Sequence, residues 1–175
     1  MKACWSDTHS RGFTVTEALI VLSVIALLMA LALPQMQGQI STQRLEAQAD
    51  ELVAAINLAR SEALSRGVFA GACPSADGLE CATSSWQQGW LVWADANGDN
   101  RFTPGEAVRV NHPIQTSTGT LVTSSGSISN GITFNPMGIT TMAGPNANIT
   151  LSHAGARYHR QIQISQTGFI SRLIL

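Results

Sequence analysis

The sequence has 175 residues, enough for one ordinary domain with an appendage and too few for two full cores. Charged residues make up only 12% of the chain and apolar residues 45%, so much of the surface must face lipid or other protein. A formal charge of −1 argues against a DNA-coating role. Because no GxSxG, phosphate-loop or HExxH motif occurs, we expect no catalytic residue, no cofactor and no enzymatic activity.

A long apolar segment dominates the N-terminus. Residues 18–33 read ALIVLSVIALLMALAL, and the stretch from Phe13 to Leu33 would form a helix about 31 Å long. This length predicts a helix over residues 13–34 that can span a bilayer. The preceding leader, MKACWSDTHSRG, carries Lys2 and Arg11, which favour a cytoplasmic location for that end.

One carboxylate, Glu17, stands at the edge of this apolar segment. A charged side chain there costs roughly 2.5–3.5 kcal/mol on insertion scales and needs a partner. A cut between Gly12 and Phe13 would create an amine one helical turn before Glu17. That amine can pair with Glu17 of the same or a neighbouring subunit.

Residues 11–17 read RGFTVTE and, with the apolar run that follows, resemble the class III signal of type IV prepilins and type II secretion pseudopilins. The resemblance implies that a membrane-embedded prepilin peptidase cuts after Gly12 and that the new amine of Phe13 is methylated. It also implies that Glu17 assists docking onto other pilins. Pro34, residue 22 after such a cut (34 − 12), lies where many pilins carry a helix-kinking proline.

An ordinary secretory signal is the competing interpretation. Ala30-Leu31-Ala32 resembles a small-residue cleavage site, which would release a soluble periplasmic protein beginning at Leu33. This interpretation leaves Gly12-Phe13 and Glu17 unexplained, and Pro34 lies close to the cut.

The remainder of the chain predicts one more helical segment and then β-structure. Residues 35–66 show the three- and four-residue apolar period of an amphipathic helix, and Gly67 predicts its end. Thr116–Asn130, rich in Ser, Thr and Gly, is predicted to be an exposed loop or irregular hairpin. Short β-branched or aromatic runs predict strands at Gly89–Ala94, Ala107–Val110, Gly131–Phe134, Asn148–Leu151, Gln161–Ser165 and Phe169–Leu175.

The expected fold class is therefore α+β, with a long N-terminal transmembrane and amphipathic helix packed on an antiparallel β-sheet domain. Four segments are expected: a cleaved leader at 1–12, a hydrophobic membrane or fibre-core helix at 13–34, an amphipathic half at 35–66 and a β-rich periplasmic domain at 67–175. The expected location is the inner membrane, with a single pass, and the fibre after assembly.

The segment WQQGWLVW at residues 86–93, followed by DANGD at 95–99 and Gly105-Glu106, is similar to the GspH/FimT group of minor pilins and pseudopilins. This resemblance implies a structural subunit at or near the fibre tip that helps initiate or cap assembly. The sequence leaves open whether the machine is a type IV pilus or a type II secretion pseudopilus.

Two cysteines close a short loop. Cys73 and Cys81 flank Pro74 and Gly78, the spacing of a small disulfide in an oxidising compartment, with two reduced thiols as the alternative. Cys4 lies in the expected leader.

A candidate calcium loop follows the tryptophans. Oxygen-bearing residues stand at EF-hand-like positions, although a strand precedes them and Asn100 replaces the usual glycine, so we prefer a hairpin turn. The metal candidates are Asp95, Asn97, Asp99 and Glu106, with Arg101 and Thr103 at the intervening positions. Trp86, Trp90 and Trp93 are interpreted either as a binding groove or, preferably, as core packing.

A basic cluster near the C-terminus is the candidate DNA contact, because cations beside an aromatic ring can bind phosphates and stack on bases. It comprises Arg157, His159, Arg160 and Arg172 around Tyr158. Some FimT-like proteins bind DNA through a C-terminal Gly-Arg-x-Arg element, but residues 168–171 read GFIS and lack both arginines. Because of this departure, a tip subunit that captures DNA is ranked second, as the alternative function. If the cluster does not bind DNA, it is interpreted as a polar hairpin.

Overall fold

A computed structural model of the protein describes residues 13–81, 85–111, 120–153, 156 and 158–175. The chain divides into two units, Met1–Gln37 and Gly38–Leu175. The expected leader, and Gly12 with it, lies outside the described residues.

One helix, α1 (Val15–Arg66), begins in the first unit and ends in the second. Thr14 caps its start, because the Thr14 hydroxyl accepts a hydrogen bond from the Glu17 amide at 3.2 Å. The helix ends before Gly67, whose φ of 67° lies in the left-handed region that glycine adopts without steric cost. The predicted helix end at Arg66-Gly67 is confirmed.

Within the described part of the second unit, eight strands follow α1. They are β1 (Ala70–Pro74), β2 (Trp90–Ala94), β3 (Ala107–Asn111), β4 (Thr120–Ser124), β5 (Ile132–Phe134), β6 (Asn146–His153), β7 (Arg160–Ser165) and β8 (Ile170–Ile174). The first sheet has the order β3-β2-β1-β5, the second has the order β4-β6-β7-β8, and all neighbouring strands are antiparallel. The predicted α+β class, with a long helix on antiparallel sheets, is confirmed.

The core of the second unit joins α1 to one face of each sheet. Buried positions recur along α1 at three- and four-residue steps, and buried residues alternate along β6 and β7. The helix contributes Leu45, Ala49, Leu52, Ile56, Ala59 and Ala63, the first sheet contributes Ala72, Val92 and Phe134, and the second contributes Ile149, Leu151, Ile162 and Ile164. The amphipathic stripe predicted for residues 35–66 therefore becomes the centre of the fold.

The prediction of an exposed loop or hairpin over Thr116–Asn130 is wrong for its described part. Residues 120–124 form β4, which pairs with β6, and a short 3-10 turn follows at Gly126–Ile128. Thr120, Val122 and Ile128 are buried. A Ser- and Thr-rich composition hid the strand, because threonine suits a pleated edge strand as well as a loop.

Strand β1 was also absent from the predicted strands. Its sequence, AGACP, has no β-branched or aromatic side chain, yet all five residues are buried. Gly71 explains part of the composition: a Cβ there would lie 2.6 Å from the Ile132 carbonyl oxygen and 3.0 Å from the Trp93 ring. The small residues are required by close packing, which local strand propensity does not report.

The predicted disulfide between Cys73 and Cys81 is confirmed, with Cα atoms 5.5 Å apart. Cys73 lies with Leu91 and Trp93 in a small second cluster that Phe102 partly covers. Closing this short loop contributes about 2–3 kcal/mol in the chain-entropy account. The disulfide thus secures the face of the first sheet that does not contact α1.

Candidate assembly site

The described N-terminal end of the chain presents an uncovered apolar helix. Phe13 is 79% exposed, and large apolar side chains point outward all around the first turns of α1. The exposed set comprises Val15, Leu19, Ile20, Val21, Leu22, Val24, Ile25, Leu27, Leu28 and Met29. Among the described residues, no helix combines the length and apolarity needed to cross a membrane.

Glu17 occupies the third position of α1, three residues after the Thr14 cap. A glutamate at this position follows the Thr-x-x-Glu pattern of a capping box, and its charge favours the positive end of the helix dipole. Sequence reasoning explained Glu17 by assembly alone and missed this local role. The side chain is exposed and therefore accessible to a further partner.

Two acids of α1 pair with two arginines of the second sheet, and we call these four residues with Tyr158 the acid–arginine clasp. Arg160 donates a hydrogen bond to Glu46, which also accepts one from the Tyr158 hydroxyl at 3.0 Å. Arg172 donates to Asp50 in the same way. The Arg160 guanidinium also lies 4.8 Å from the centre of the Tyr158 ring, a cation–π arrangement.

The two pairs of the clasp differ in exposure and therefore in strength. The Arg160 side chain is 19% exposed, whereas Arg172 and Asp50 are 58% and 60% exposed. An exposed pair contributes about 0–1 kcal/mol, so the Glu46–Arg160 pair is the stronger one. Hydrogen bonds from Tyr158 and then from Arg160 hold the pKa of Glu46 below its ordinary value of 4.5.

The clasp involves two of the four predicted DNA-contacting residues. Arg160 and Arg172 are both paired with carboxylates, so their charges are largely compensated. The backbone of His159 exchanges hydrogen bonds with Leu175 at 2.9 and 3.0 Å. Arg157 lies outside the described residues. The structural alternative for this region, a polar hairpin, accounts for Arg160 and Arg172 without DNA.

The candidate calcium residues form the turn between β2 and β3. The buried Asp95 carboxylate accepts hydrogen bonds from the amides of Gly98 at 2.7 Å and Asn100 at 2.8 Å. Glu106 accepts from the amides of Ala96, Thr103 and Asn97 at 2.8, 2.9 and 3.2 Å.

These amide donors have an electrostatic consequence for Glu106. Its partial desolvation raises the pKa, but the donors, Thr103 first, outweigh this effect and leave the pKa below 4.5. The described part of the chain contains no group of three or more His, Cys, Asp or Glu residues arranged to hold a metal. The preferred interpretation, a hairpin turn, agrees with this hydrogen bonding.

The three tryptophans near β2 are core residues. Trp86 and Trp90 are each 1% exposed and Trp93 is 4% exposed. The Trp86 indole N–H donates to the Ile128 carbonyl oxygen at 3.1 Å, which joins the turn before β2 to the turn after β4. Core packing, rather than an open groove, is therefore their role in this fold.

The fold and the N-terminal sequence define a pilin-like structural subunit. The family model of the type II transport protein GspH matches residues 48–168, and the prokaryotic N-terminal methylation motif matches residues 7–33. The chain belongs to the GspH family and is a minor pilin or pseudopilin of the GspH/FimT type. As a member of a family of structural subunits, it is not an enzyme.

One curated protein is similar to this chain in sequence, and a solved structure is similar to it in fold. The pilin-like protein PilA1 of Thermus thermophilus is 31% identical over 102 residues, which cover 58% of this chain and 59% of that protein. The chain thus spans less than two thirds of that relative. The minor pilin FimU of Pseudomonas aeruginosa is similar in fold in two crystal forms, with TM-scores of 0.57 and 0.56 and identities of 20% and 22%. These matches cover 74% of this chain and 87% and 92% of FimU.

The clasp predicts an acid-sensitive contribution to stability. Because the pKa of Glu46 is lower in the folded chain than in the unfolded one, this contribution is complete above about pH 4.5 and is lost as pH falls through the folded pKa. We expect Glu46→Gln to destabilise the full chain near neutral pH, with the difference from the unsubstituted chain shrinking at about pH 3. Urea unfolding of the full chain in mild detergent at both pH values measures this difference.

Glu51→Gln is the matched control, because Glu51 is an exposed glutamate of the same helix that lies outside the clasp. It should leave the pH dependence unchanged. An equal loss of stability for Glu46→Gln at both pH values would contradict the pairing argument.

The clasp also predicts that the chain binds DNA only weakly, because Glu46 and Asp50 compensate the charges of Arg160 and Arg172. We expect Glu46→Gln with Asp50→Asn to bind DNA more tightly at low salt than the unsubstituted chain. If both released arginines neutralise a phosphate, the slope of log affinity against log salt steepens by about 1.8. Fluorescence titration of the full chain with labelled DNA across a salt series measures the slope.

Adding Arg160→Gln and Arg172→Gln to the same variant should return binding to its original level. Tight binding by the unsubstituted chain at physiological salt, lost on Arg160→Ala, would instead support DNA capture.

Proposed function

We propose that the protein is a minor subunit that helps initiate or cap a type IV pilus or a type II secretion pseudopilus. The observation that supports this most directly is the exposed apolar surface of the described N-terminal helix. Exposure of that much apolar surface to water is unfavourable, so lipid or other protein should cover it. In a family whose members assemble with other pilins, the covering surfaces are the membrane before assembly and neighbouring subunits afterwards.

The proposed maturation is a cut by the prepilin peptidase between Gly12 and Phe13, followed by methylation of the Phe13 amine. The methylation motif matched over residues 7–33 supports both steps. The amine would then lie one residue before the Thr14 cap and four residues before Glu17. We propose that Glu17 pairs with an amine in the fibre, its own or that of a neighbouring subunit.

The proposed location is the inner membrane, with residues 13–34 as anchor and the second unit in the periplasm. Two basic residues in the leader support a cytoplasmic N-terminus. The Cys73–Cys81 disulfide supports an oxidising compartment for the second unit. The named relatives include a type IV minor pilin, while the family model is named for type II transport, so both machines are retained. Genes that neighbour this one would distinguish the two.

Processing predicts a defined mature mass. Intact-mass measurement of the chain from cells that contain a prepilin peptidase should show loss of residues 1–12 and gain of one methyl group. Cells without the peptidase serve as the control and should retain the full mass. A mature N-terminus at Leu33 would instead establish the ordinary secretory signal.

The proposed pairing of Glu17 predicts that substitution of this residue impairs assembly but not insertion into the membrane. Glu17→Val should stay in the membrane, because it removes an insertion cost, but should be lost from the fibre fraction. Glu17→Gln separates the two roles of this residue, since glutamine can serve the capping box but carries no charge. We expect it to fail in assembly as well.

The measurement is the ratio of subunit in sheared fibres to subunit in washed membranes. Ser23→Val is the control, a polar-to-apolar change in the same helix, and should enter fibres normally. Normal incorporation of Glu17→Gln would leave Glu17 with a capping role only.

A further inference from the structure

Strand β8 is an edge of the second sheet, and within the described residues no strand pairs with its other side. Backbone hydrogen bonds join Ser165 to Phe169 and His159 to Leu175 across the β7–β8 hairpin. In an antiparallel ladder the residues between such pairs point their amide and carbonyl groups the opposite way. The backbone groups of Ile170, Arg172 and Ile174 therefore face the open edge.

The side chains of β8 and of the residues that flank it, Phe169 and Leu175, are unusually apolar for an open edge. Phe169 is 66% exposed, Leu173 42%, Ile174 62% and Leu175 58%. Proteins protect open edges with charges, prolines or bulges, and β8 has no proline and a single charged residue. That residue, Arg172, is bound to Asp50 in the clasp. The strand thus offers a template for another strand with little electrostatic opposition.

The other edge of the same sheet is different. The 3-10 turn at Trp86–Gln88 lies beside β4, and the Ser85 hydroxyl is 3.5 Å from the Val122 carbonyl oxygen. This cover prevents a simple continuation in which β8 of one copy joins β4 of the next. If a second copy binds at the β8 edge, its contribution is therefore a strand other than β4.

We propose that β8 pairs with β8 of a second copy of this chain, antiparallel and about a two-fold axis at Arg172. In this register Ile170 lies opposite Ile174 of the second copy, and Phe169 lies opposite Leu175. Ser171 lies opposite Leu173. Each large apolar side chain except Leu173 thus meets another apolar side chain, and three residues from each copy exchange backbone hydrogen bonds. This self-complementarity is the reason for choosing a second copy as the occupant.

The polarity of the sheet indicates when such a pair can form. Arg160, which begins β7, contacts Glu46, and Arg60 donates to the carbonyl oxygen of Thr167 just beyond the end of β7. Strand β7 therefore runs in the same direction as the part of α1 in the second unit, and β8 runs against it. A two-fold pair would set those helical segments antiparallel, whereas copies in a helical fibre share one polarity. The pair is thus a form of the subunit outside the fibre.

Register-specific cross-linking tests the proposal in the full-length chain. Two differently tagged copies are co-expressed in a Cys4→Ser background, one carrying Ser171→Cys and the other Leu173→Cys. These positions form a pair without backbone hydrogen bonds, with Cα atoms about 4.5 Å apart, within reach of a disulfide. Identical positions would be displaced by about 7 Å along the strand, which puts them out of reach.

We expect mild oxidation of the membranes to give mixed-tag dimers and few same-tag dimers. Gln163→Cys, one strand inside the edge on β7, is the control and should not cross-link. Absence of mixed-tag dimers, equal yields of mixed and same-tag dimers, or cross-links only to other proteins would each overturn the proposal.

Two substitutions at Ile174 separate backbone pairing from apolar contact. Ile174→Pro removes an amide that faces the open edge and leaves the β7–β8 ladder intact. It should abolish the cross-link, whereas Ile174→Ala keeps the amide and should retain most of it. An unchanged thermal transition of the second unit shows that the proline variant still folds. Retention of the cross-link in folded Ile174→Pro would refute strand pairing.

The clasp provides an independent test of the register. Asp50→Asn leaves two uncompensated Arg172 guanidiniums opposite each other and should reduce the cross-link, most strongly at low salt. Adding Arg172→Gln to Asp50→Asn removes both charges and should restore it. A loss that Arg172→Gln does not reverse would contradict the placement of the two-fold axis.

Discussion

The second unit depends on the contact between the apolar stripe of α1 and the two sheets. Among the described residues, each sheet has four strands. Their inner faces are covered because one helix packs its side chains against both. Ala49, Ala59 and Ala63 are each at most 3% exposed. A larger side chain at these positions would separate the sheets from the helix and open the shared core.

The same helix meets a different environment in each unit. In the second unit its polar side faces solvent and its apolar side faces the sheets, as expected of an amphipathic helix. In the described part of the first unit, large apolar residues are exposed on all sides. A helix that is apolar all round requires a surrounding that is apolar all round, either lipid or other helices. This contrast along one helix is the physical basis of the proposal that the subunit lies first in a membrane and then in a fibre.

Charge is scarce in this chain, and several of its charges have specific partners. The acids of the clasp lie on α1 and the arginines lie on the second sheet, so the pairs tie the solvent side of the helix to the sheet that it supports. Compensation has two effects. It leaves little free positive charge among the described C-terminal residues for a nucleic-acid backbone, and it reduces the charge that would otherwise protect the β8 edge from another strand.

The sequence by itself determined the features that depend on neighbouring residues. The end of α1 at Gly67, the apolar period of its second half, the short disulfide loop and most strands are local patterns, and each was predicted with boundaries close to those observed. The N-terminal motif could also be recognised from the sequence, because a glycine, a phenylalanine and a glutamate at fixed spacing precede an apolar run.

Only the tertiary structure decided features that depend on residues far apart in the chain. Strand β1 is built of small residues because the Trp93 ring and β5 approach its backbone, and β4 is a strand because β6 lies beside it. Arg160 and Arg172 were named as possible DNA contacts, because no local pattern reveals their partners Glu46 and Asp50, which lie 114 and 122 residues away. The open edge at β8 likewise follows from the order of strands in the sheet. Such contacts pair side chains that no local periodicity relates, so composition alone suggested a loop and a basic patch where folding produced an edge strand and two ion pairs.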